Sequence, residues 1–536
     1  MMKTKTVTPK QVKEMLHDKE ELALLDVREQ GDFAEGHQLL ACCIPFSHME
    51  VKLDDLVPRR TTRIVVVDEG PPDDLRLAEK AAERLAGFGY PHVSIMEGGI
   101  NAWRTSGFEL FSGVNVLSKA FGEFVEVTYH TPRISAEELE ATFDSDKKPV
   151  ILDSRPQDEY HRMNIPGGID SPGAELVYRI HDLAPNPETL VVVNCAGRTR
   201  SIIGAQSLIN AGIPNPVAAL KDGTMGWQLA GFELEHGQER YAPLPSPAGL
   251  ERAKACAARV AKRFGVKRVE PATLEAWKRE TDIQTLYLLD IRLKEEFETG
   301  HLKGARNAPG GQLVQATDEY VSVRNARLVL VDDTEVRAIM TTSWLIQMGW
   351  ADVYVLAGGL GDAPLVQGPH IPRILGFKKG DSLSPLELKE MLDAEQSVLV
   401  LDLATSTQYQ HRHIPGVWWG SRSGLEHGLS GLLPVDCLVL TSPDDTLAHL
   451  AVKDINSLLP ALTIRVLEGG TRAWVEAGLP TAQGLERPVC KANDVWYKPY
   501  EHKEATQEAM RDYLDWEVAL IDQIERDGDA EFRAFV

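Results

Sequence analysis

One series of short signals occurs four times along the chain, at a period longer than about 100 residues, and it limits the fold more than any other feature. Each copy opens on an apolar run that ends in Asp: Leu24-Leu25-Asp26-Val27-Arg28, Ile151-Leu152-Asp153-Ser154-Arg155, Leu288-Leu289-Asp290-Ile291-Arg292 and Val400-Leu401-Asp402-Leu403-Ala404. A turn signal follows in each: Glu35-Gly36-His37, Asn164-Ile165-Pro166-Gly167, Gly300-His301-Leu302-Lys303-Gly304 and His413-Ile414-Pro415-Gly416. Then comes a second apolar run, Ile64 to Val67, Leu190 to Val193, Leu328 to Val331 and Leu438 to Leu440, each leading into a turn and a helical stretch. The copies close on Glu97-Gly98-Gly99-Ile100-Asn101-Ala102-Trp103, Lys221-Asp222-Gly223-Thr224-Met225-Gly226-Trp227, Ala357-Gly358-Gly359-Leu360 and Glu468-Gly469-Gly470-Thr471-Arg472-Ala473-Trp474.

A period of this length is too long for a solenoid unit and suits a whole domain. Short continuous apolar strands alternating with helical stretches predict an α/β fold, with a mainly parallel sheet covered by helices in each domain. The spans are expected at 1–112, 128–240, 265–368 and 380–486, with a C-terminal helical extension over 487–536. Linkers are expected at Phe111 to Tyr129, Tyr241 to Pro247 followed by the helix Leu250 to Phe264, and Gln367 to Lys379. The tail carries Trp496, Tyr497, Tyr500, Tyr513 and Trp516 and is expected to pack back on the fourth domain, with a partner site as the alternative.

Cys195 ends the run Thr189 to Asn194 and opens Cys195-Ala196-Gly197-Arg198-Thr199-Arg200-Ser201, before the helix-like Ile202 to Ala211. Ligands of open parallel sheets gather at the carboxyl ends of the strands, where this thiol is predicted. Unpaired N–H groups at a helix start and two nearby guanidinium groups favour an anion, so a lowered thiol pKa is expected. The competing reading is a small apolar residue at a strand end. The formal net charge of -22 argues against nucleic acid as a general partner. No stretch approaches a membrane span, and Met1 to Lys10 has lysines with no apolar core after them, so a soluble, cytoplasmic protein is expected. Six cysteines in 536 residues make neither a disulfide framework nor a Cys-x-x-Cys metal site, and no metal or cofactor is expected. The adjacent Cys42 and Cys43 suggest burial near the Ile44-Pro45 turn, or redox chemistry.

Taken in order, the Asp-x-Arg strand end, the Gly-His-Ile-Pro-Gly-like turn, the strand ending in Cys and the Gly-Gly-x-x-x-Trp closure resemble the rhodanese (sulfurtransferase) family over about residues 5 to 485. The resemblance implies four tandem rhodanese-like domains plus a short helical appendage, and transfer of a sulfane sulfur through a cysteine persulfide. Only the second domain keeps the cysteine; Glu69, Asp333 and Ser442 are read at its place in the others, which are expected to be catalytically silent. Their Asp-x-Arg and Gly-Gly signals are read as scaffold. The second domain has Met163-Asn164-Ile165-Pro166 where the family has Gly-His-Ile-Pro, which favours a structural role for this turn.

The expected chemistry is double displacement at Cys195. Backbone N–H groups from Ala196 to Ser201 (Ala196, Gly197, Arg198, Thr199, Arg200, Ser201) would stabilise the anionic persulfide, and Arg198 and Arg200 would bind the donor's sulfonate or the acceptor. Thiosulfate or a related persulfide is the expected donor, since the loop lacks the Cys-Gly-x-Gly pattern of mercaptopyruvate-using relatives; cyanide, a thiol or a protein cysteine is the acceptor. Two alternatives stay open. One is a non-enzymatic scaffold, with Cys195 as a redox sensor or sulfur-carrier partner. The other is a cysteine-dependent phosphatase or arsenate reductase, disfavoured because the Arg of a Cys-x5-Arg loop would fall on Ser201.

Overall fold

The computed structural model describes residues 5–72, 75–145, 148–429, 435–501 and 506–535; the other residues of the predicted spans lie outside it. Four times over, the chain contributes five strands in the same spatial order. In the second domain this order is Arg133–Ile134, Val217–Leu220, Val191–Asn194, Val150–Asp153, Ile169–Asp170, every pair parallel. The central strand Val191–Asn194 is buried throughout because helices cover both faces of the sheet, which is why its sequence is a continuous apolar run rather than an alternating one. The equivalent central strands are Arg63–Val67, Arg327–Val331 and Cys437–Thr441.

Recurrent side chains tie each sheet to its turns. Arg28, Arg155 and Arg292 fork onto Asp26, Asp153 and Asp290 and donate onward to the carbonyl oxygens of Gly36, Met163 and Gly300 at 2.7, 2.6 and 2.7 Å. The fourth domain has Ala404 in place of that arginine, and burial pushes its Asp402 up to about 6. His37, His301 and His413 stack on Phe33, Phe297 and Tyr409 at 3.8, 3.7 and 3.9 Å between ring centroids. In the second domain Asn164 replaces the histidine and its amide donates to the Tyr160 carbonyl O at 3.3 Å, so this position is a turn clasp. Trp103, Trp227 and Trp474 close their copies by donating to the carbonyl oxygens of Glu109, Glu233 and Pro480.

The domains fall into two compact units. One holds Ala23–Val114 with Pro372–Trp496, the first and fourth copies; in it Arg422 bonds Glu50 at 2.9 Å in a buried pair. The other holds Asn115–Ile371 with the chain from Tyr497, the second and third copies. There the buried Arg337 reaches Glu175 at 2.8 Å and Trp344 donates to Ser207 at 2.8 Å. Two expectations are corrected. The segment read as a linker at Phe111 to Tyr129 contains the helix Val116–Tyr129, which packs on the second domain. The tail helix Thr506–Asp527 packs against that helix, not on the fourth domain, because its buried stripe of Met510 and Leu514 meets Met225.

Candidate active site

Cys195 sits immediately after the central strand, 2% exposed, and the helix Thr199–Ala211 starts four residues on. The closure segment fixes the turn: Thr224 N–H donates to the Cys195 carbonyl O at 2.8 Å and Met225 N–H to that of Ala196 at 3.0 Å. Gly223 is required just before them, since its φ is +55° and a Cβ there would collide with the Cys195 carbonyl O. The same bond runs from Ile100 to Asp68, from Leu360 to Asp332 and from Thr471 to Ser442. It fixes the register of the four copies: the counterparts of Cys195 are Asp68, Asp332 and Ser442, so the predicted Glu69 and Asp333 each lie one residue too far along. Those side chains fill the turn that the thiol occupies in the second domain. Asp68 accepts from Ala78 N–H, Asp332 from Arg337 N–H and Ser442 from Ala448 N–H, at 2.9, 2.9 and 3.2 Å.

Around the sulfur, Ser201 offers its N–H while its hydroxyl donates to the Arg198 carbonyl O at 2.7 Å, and the Arg200 guanidinium exerts the largest favourable charge effect. Both pull the thiol pKa down, yet burial outweighs them and Glu517 adds to the rise, so the thiol lies above its ordinary value. The lowered pKa expected from the sequence is therefore corrected: the loop is covered, and desolvation acts on the thiolate.

The predicted site residues divide. Ala196, Gly197, Thr199 and Ser201 are buried in the turn with Cys195. Arg200 acts on the thiol through its charge and is held by Glu159 at 2.8 Å, which pulls that carboxyl down to about 2. Arg198 is turned to three carboxylates, Glu123 at 2.6 Å, Asp222 at 3.1 Å and Glu126, and is not brought to the sulfur. Sequence reasoning missed the groups that cover the loop: Lys119, Glu123 and Glu126 from Val116–Tyr129, and Tyr513 and Glu517 from Thr506–Asp527. Thr199 hydroxyl donates to Glu517 Oε1 at 3.3 Å, and a Cβ placed on Gly197 would lie 3.2 Å from Glu517 Oε2. A sequence signal existed: Glu517 interrupts the apolar stripe Met510, Leu514, Leu520, Ile524, and Lys119, Glu123 and Glu126 share one helical face.

A cysteine at the strand-to-helix turn of a parallel sheet, with a helix-start amide on its sulfur, marks a class of α/β protein. The family follows from comparison. A rhodanese-like domain model matches residues 8–106, 135–230 and 270–362. The crystal structure of a thiosulfate sulfurtransferase from Pseudomonas aeruginosa is 48% identical, covers 99% of both chains and superposes with a TM-score of 0.93. The putative sulfur carrier protein YrkF of Bacillus subtilis is 26% identical over 188 residues, 34% of this chain and 91% of that protein. The HTH-type transcriptional regulator Rv0324 of Mycobacterium tuberculosis is 32% identical over 88 residues, 16% of this chain and 38% of that protein. The chain belongs to the rhodanese family and is a sulfurtransferase. Residues 380–486 fall outside the family-model matches yet repeat the same strand order.

Proposed function

We propose that this sulfurtransferase takes the outer sulfur of thiosulfate onto Cys195 and passes it to a thiophilic acceptor. The observation that carries the reading is the register of the four turns: one position, four copies, and a sulfur atom in the second alone. Cys195 loses its proton, and the thiolate attacks the outer sulfur of the donor. A new S–S bond forms, the donor's S–S bond breaks, and sulfite leaves with the electron pair. The persulfide anion is stabilised by the Ser201 N–H and the Arg200 charge, the physics of an oxyanion hole. Attack of cyanide on the terminal sulfur releases thiocyanate and restores the thiolate; a thiol or a protein cysteine can stand in its place. The likeness to a putative sulfur carrier supports a protein cysteine among the acceptors. Among the described residues no helix is long and apolar enough to cross a membrane, and cysteines that form no disulfide support a cytoplasmic setting.

Purified protein given thiosulfate and cyanide is expected to make thiocyanate, and intact mass after thiosulfate alone to show one added sulfur. Cys195→Ser should abolish both. Thiocyanate formation surviving in that variant overturns the mechanism, and turnover of phosphate esters without sulfur uptake replaces it with phosphatase chemistry.

A further inference from the structure

The sulfonate of the donor calls for a cation beyond Arg200, whose charge serves the sulfur, and Arg198 is turned away to three carboxylates. Arg198 is enclosed by Glu123, Glu126 and Asp222, and Arg200 is bound by Glu159. A third cation lies under the same cover. Lys119 is 3% exposed, and its ammonium sits 5.3 and 5.1 Å from the ring centroids of Tyr513 and Trp516. The charges of Glu517, Asp318 and Glu319 favour the ammonium and that of Arg200 opposes it. Glu517 belongs to the C-terminal helix, a separate element from the loop it touches.

Glu517 is placed as a bound anion would be. Its Oε1 accepts from the Thr199 hydroxyl at 3.3 Å and the Tyr513 hydroxyl at 3.1 Å, at the first residue of Thr199–Ala211. Its Oε2 is buried with no hydrogen-bond partner and faces Gly197, two residues from Cys195. A buried carboxylate oxygen without a donor is costly, and the Lys119 charge acts against that cost. Burial, together with Glu123, pushes the Glu517 carboxyl up, while Lys119, Tyr513 and Arg198 pull it down.

We propose that Lys119 and Thr199 form the subsite for the anionic head of the sulfur donor, and that Glu517 holds this subsite as an internal carboxylate which the donor displaces. The proposal rests on the thiosulfate reading for its ligand but not for its geometry. Displacement exchanges one anion for another at Lys119. It also takes Glu517 Oε2 away from Gly197, two residues from Cys195.

The test compares alkylation of Cys195 by iodoacetate, an anion, and iodoacetamide, its neutral analogue, followed by intact mass on the full chain. Glu517→Gln should raise the iodoacetate-to-iodoacetamide rate ratio roughly tenfold, and Lys119→Met should lower it by a similar factor. Lys119→Met should also raise KM for thiosulfate about tenfold with kcat little changed. A wild-type ratio in both variants overturns the subsite. If Lys119→Met does not fold, Glu517→Gln decides alone, an unchanged ratio again overturning it. Loss of the mechanism is a separate result: Cys195→Ser that still makes thiocyanate removes the persulfide while leaving the ratio, and the anion subsite, standing.

Discussion

At Cys195 two physical effects oppose each other, and their balance decides when the residue reacts. Burial favours the neutral thiol; the Ser201 N–H and Arg200 favour the thiolate, and burial wins. Alkylation followed against pH should therefore have its midpoint above that of an ordinary cysteine, the rate rising with pH as the proton leaves. The two arginines of the loop differ in what they do there. Arg200→Met should move that midpoint higher still. Arg198→Met should leave it near the wild-type value, but cost about 3–5 kcal/mol in urea unfolding, because Glu123 is left buried without its partner. A midpoint moved as far by Arg198→Met as by Arg200→Met would show that Arg198 acts on the sulfur after all. Sequence spacing placed both arginines near the thiol; it carries no information on which way a guanidinium turns once Glu123 and Glu126 arrive from a different helix.

Elements were legible where their signals are local. The strand ending in Asp, the turn, the central strand and the closure each need particular residues within a few positions, such as Gly223 under the Cys195 carbonyl, so four copies could be read directly. The cover over the site was not. Val116–Tyr129 lies in a stretch read as a linker, and Thr506–Asp527 reaches the loop from more than 300 residues away in the chain, as the 318-residue separation of Thr199 and Glu517 shows. Only tertiary packing brings them together. That packing rests on few apolar anchors: Met510 and Leu514 against Met225, with Phe532 beyond the helix set 5.1 Å from Phe121. Leu514→Ala should remove about 2–5 kcal/mol from the docking of the helix. Iodoacetamide should then alkylate Cys195 at least several-fold faster, while far-UV circular dichroism stays near that of the parent. An unchanged alkylation rate would mean that the helix does not govern access to the thiol.

In the whole molecule, the two units bury a different balance of titratable groups, which gives them unequal responses to mild acid. The unit of the first and fourth copies buries His37 and His48, both pulled down to about 4 by desolvation. Between about 6.5 and 4 the unfolded chain takes up protons that these folded histidines refuse, so their contribution to stability is lost as pH falls through that window. In the same unit Glu29 and Asp402, pushed up to about 7 and about 6, work the other way. The unit of the second and third copies is weighted toward raised carboxyls: Asp170 at about 8, with Asp318 and Asp332 at about 6. Each of these takes a proton in the folded state before it would in the unfolded one, so acidification from neutral pH stabilises the fold until the unfolded carboxyls also titrate near 4. Glu159, pulled down to about 2, adds stability that is lost only in stronger acid. Hydrogen exchange at pH 7 and 5.5, corrected for the intrinsic rate, should therefore show protection of Val191–Asn194 and Arg327–Val331 rising relative to Arg63–Val67 and Cys437–Thr441. Equal changes in both pairs of strands would mean that the buried histidines and the raised carboxyls do not set the acid response of their units.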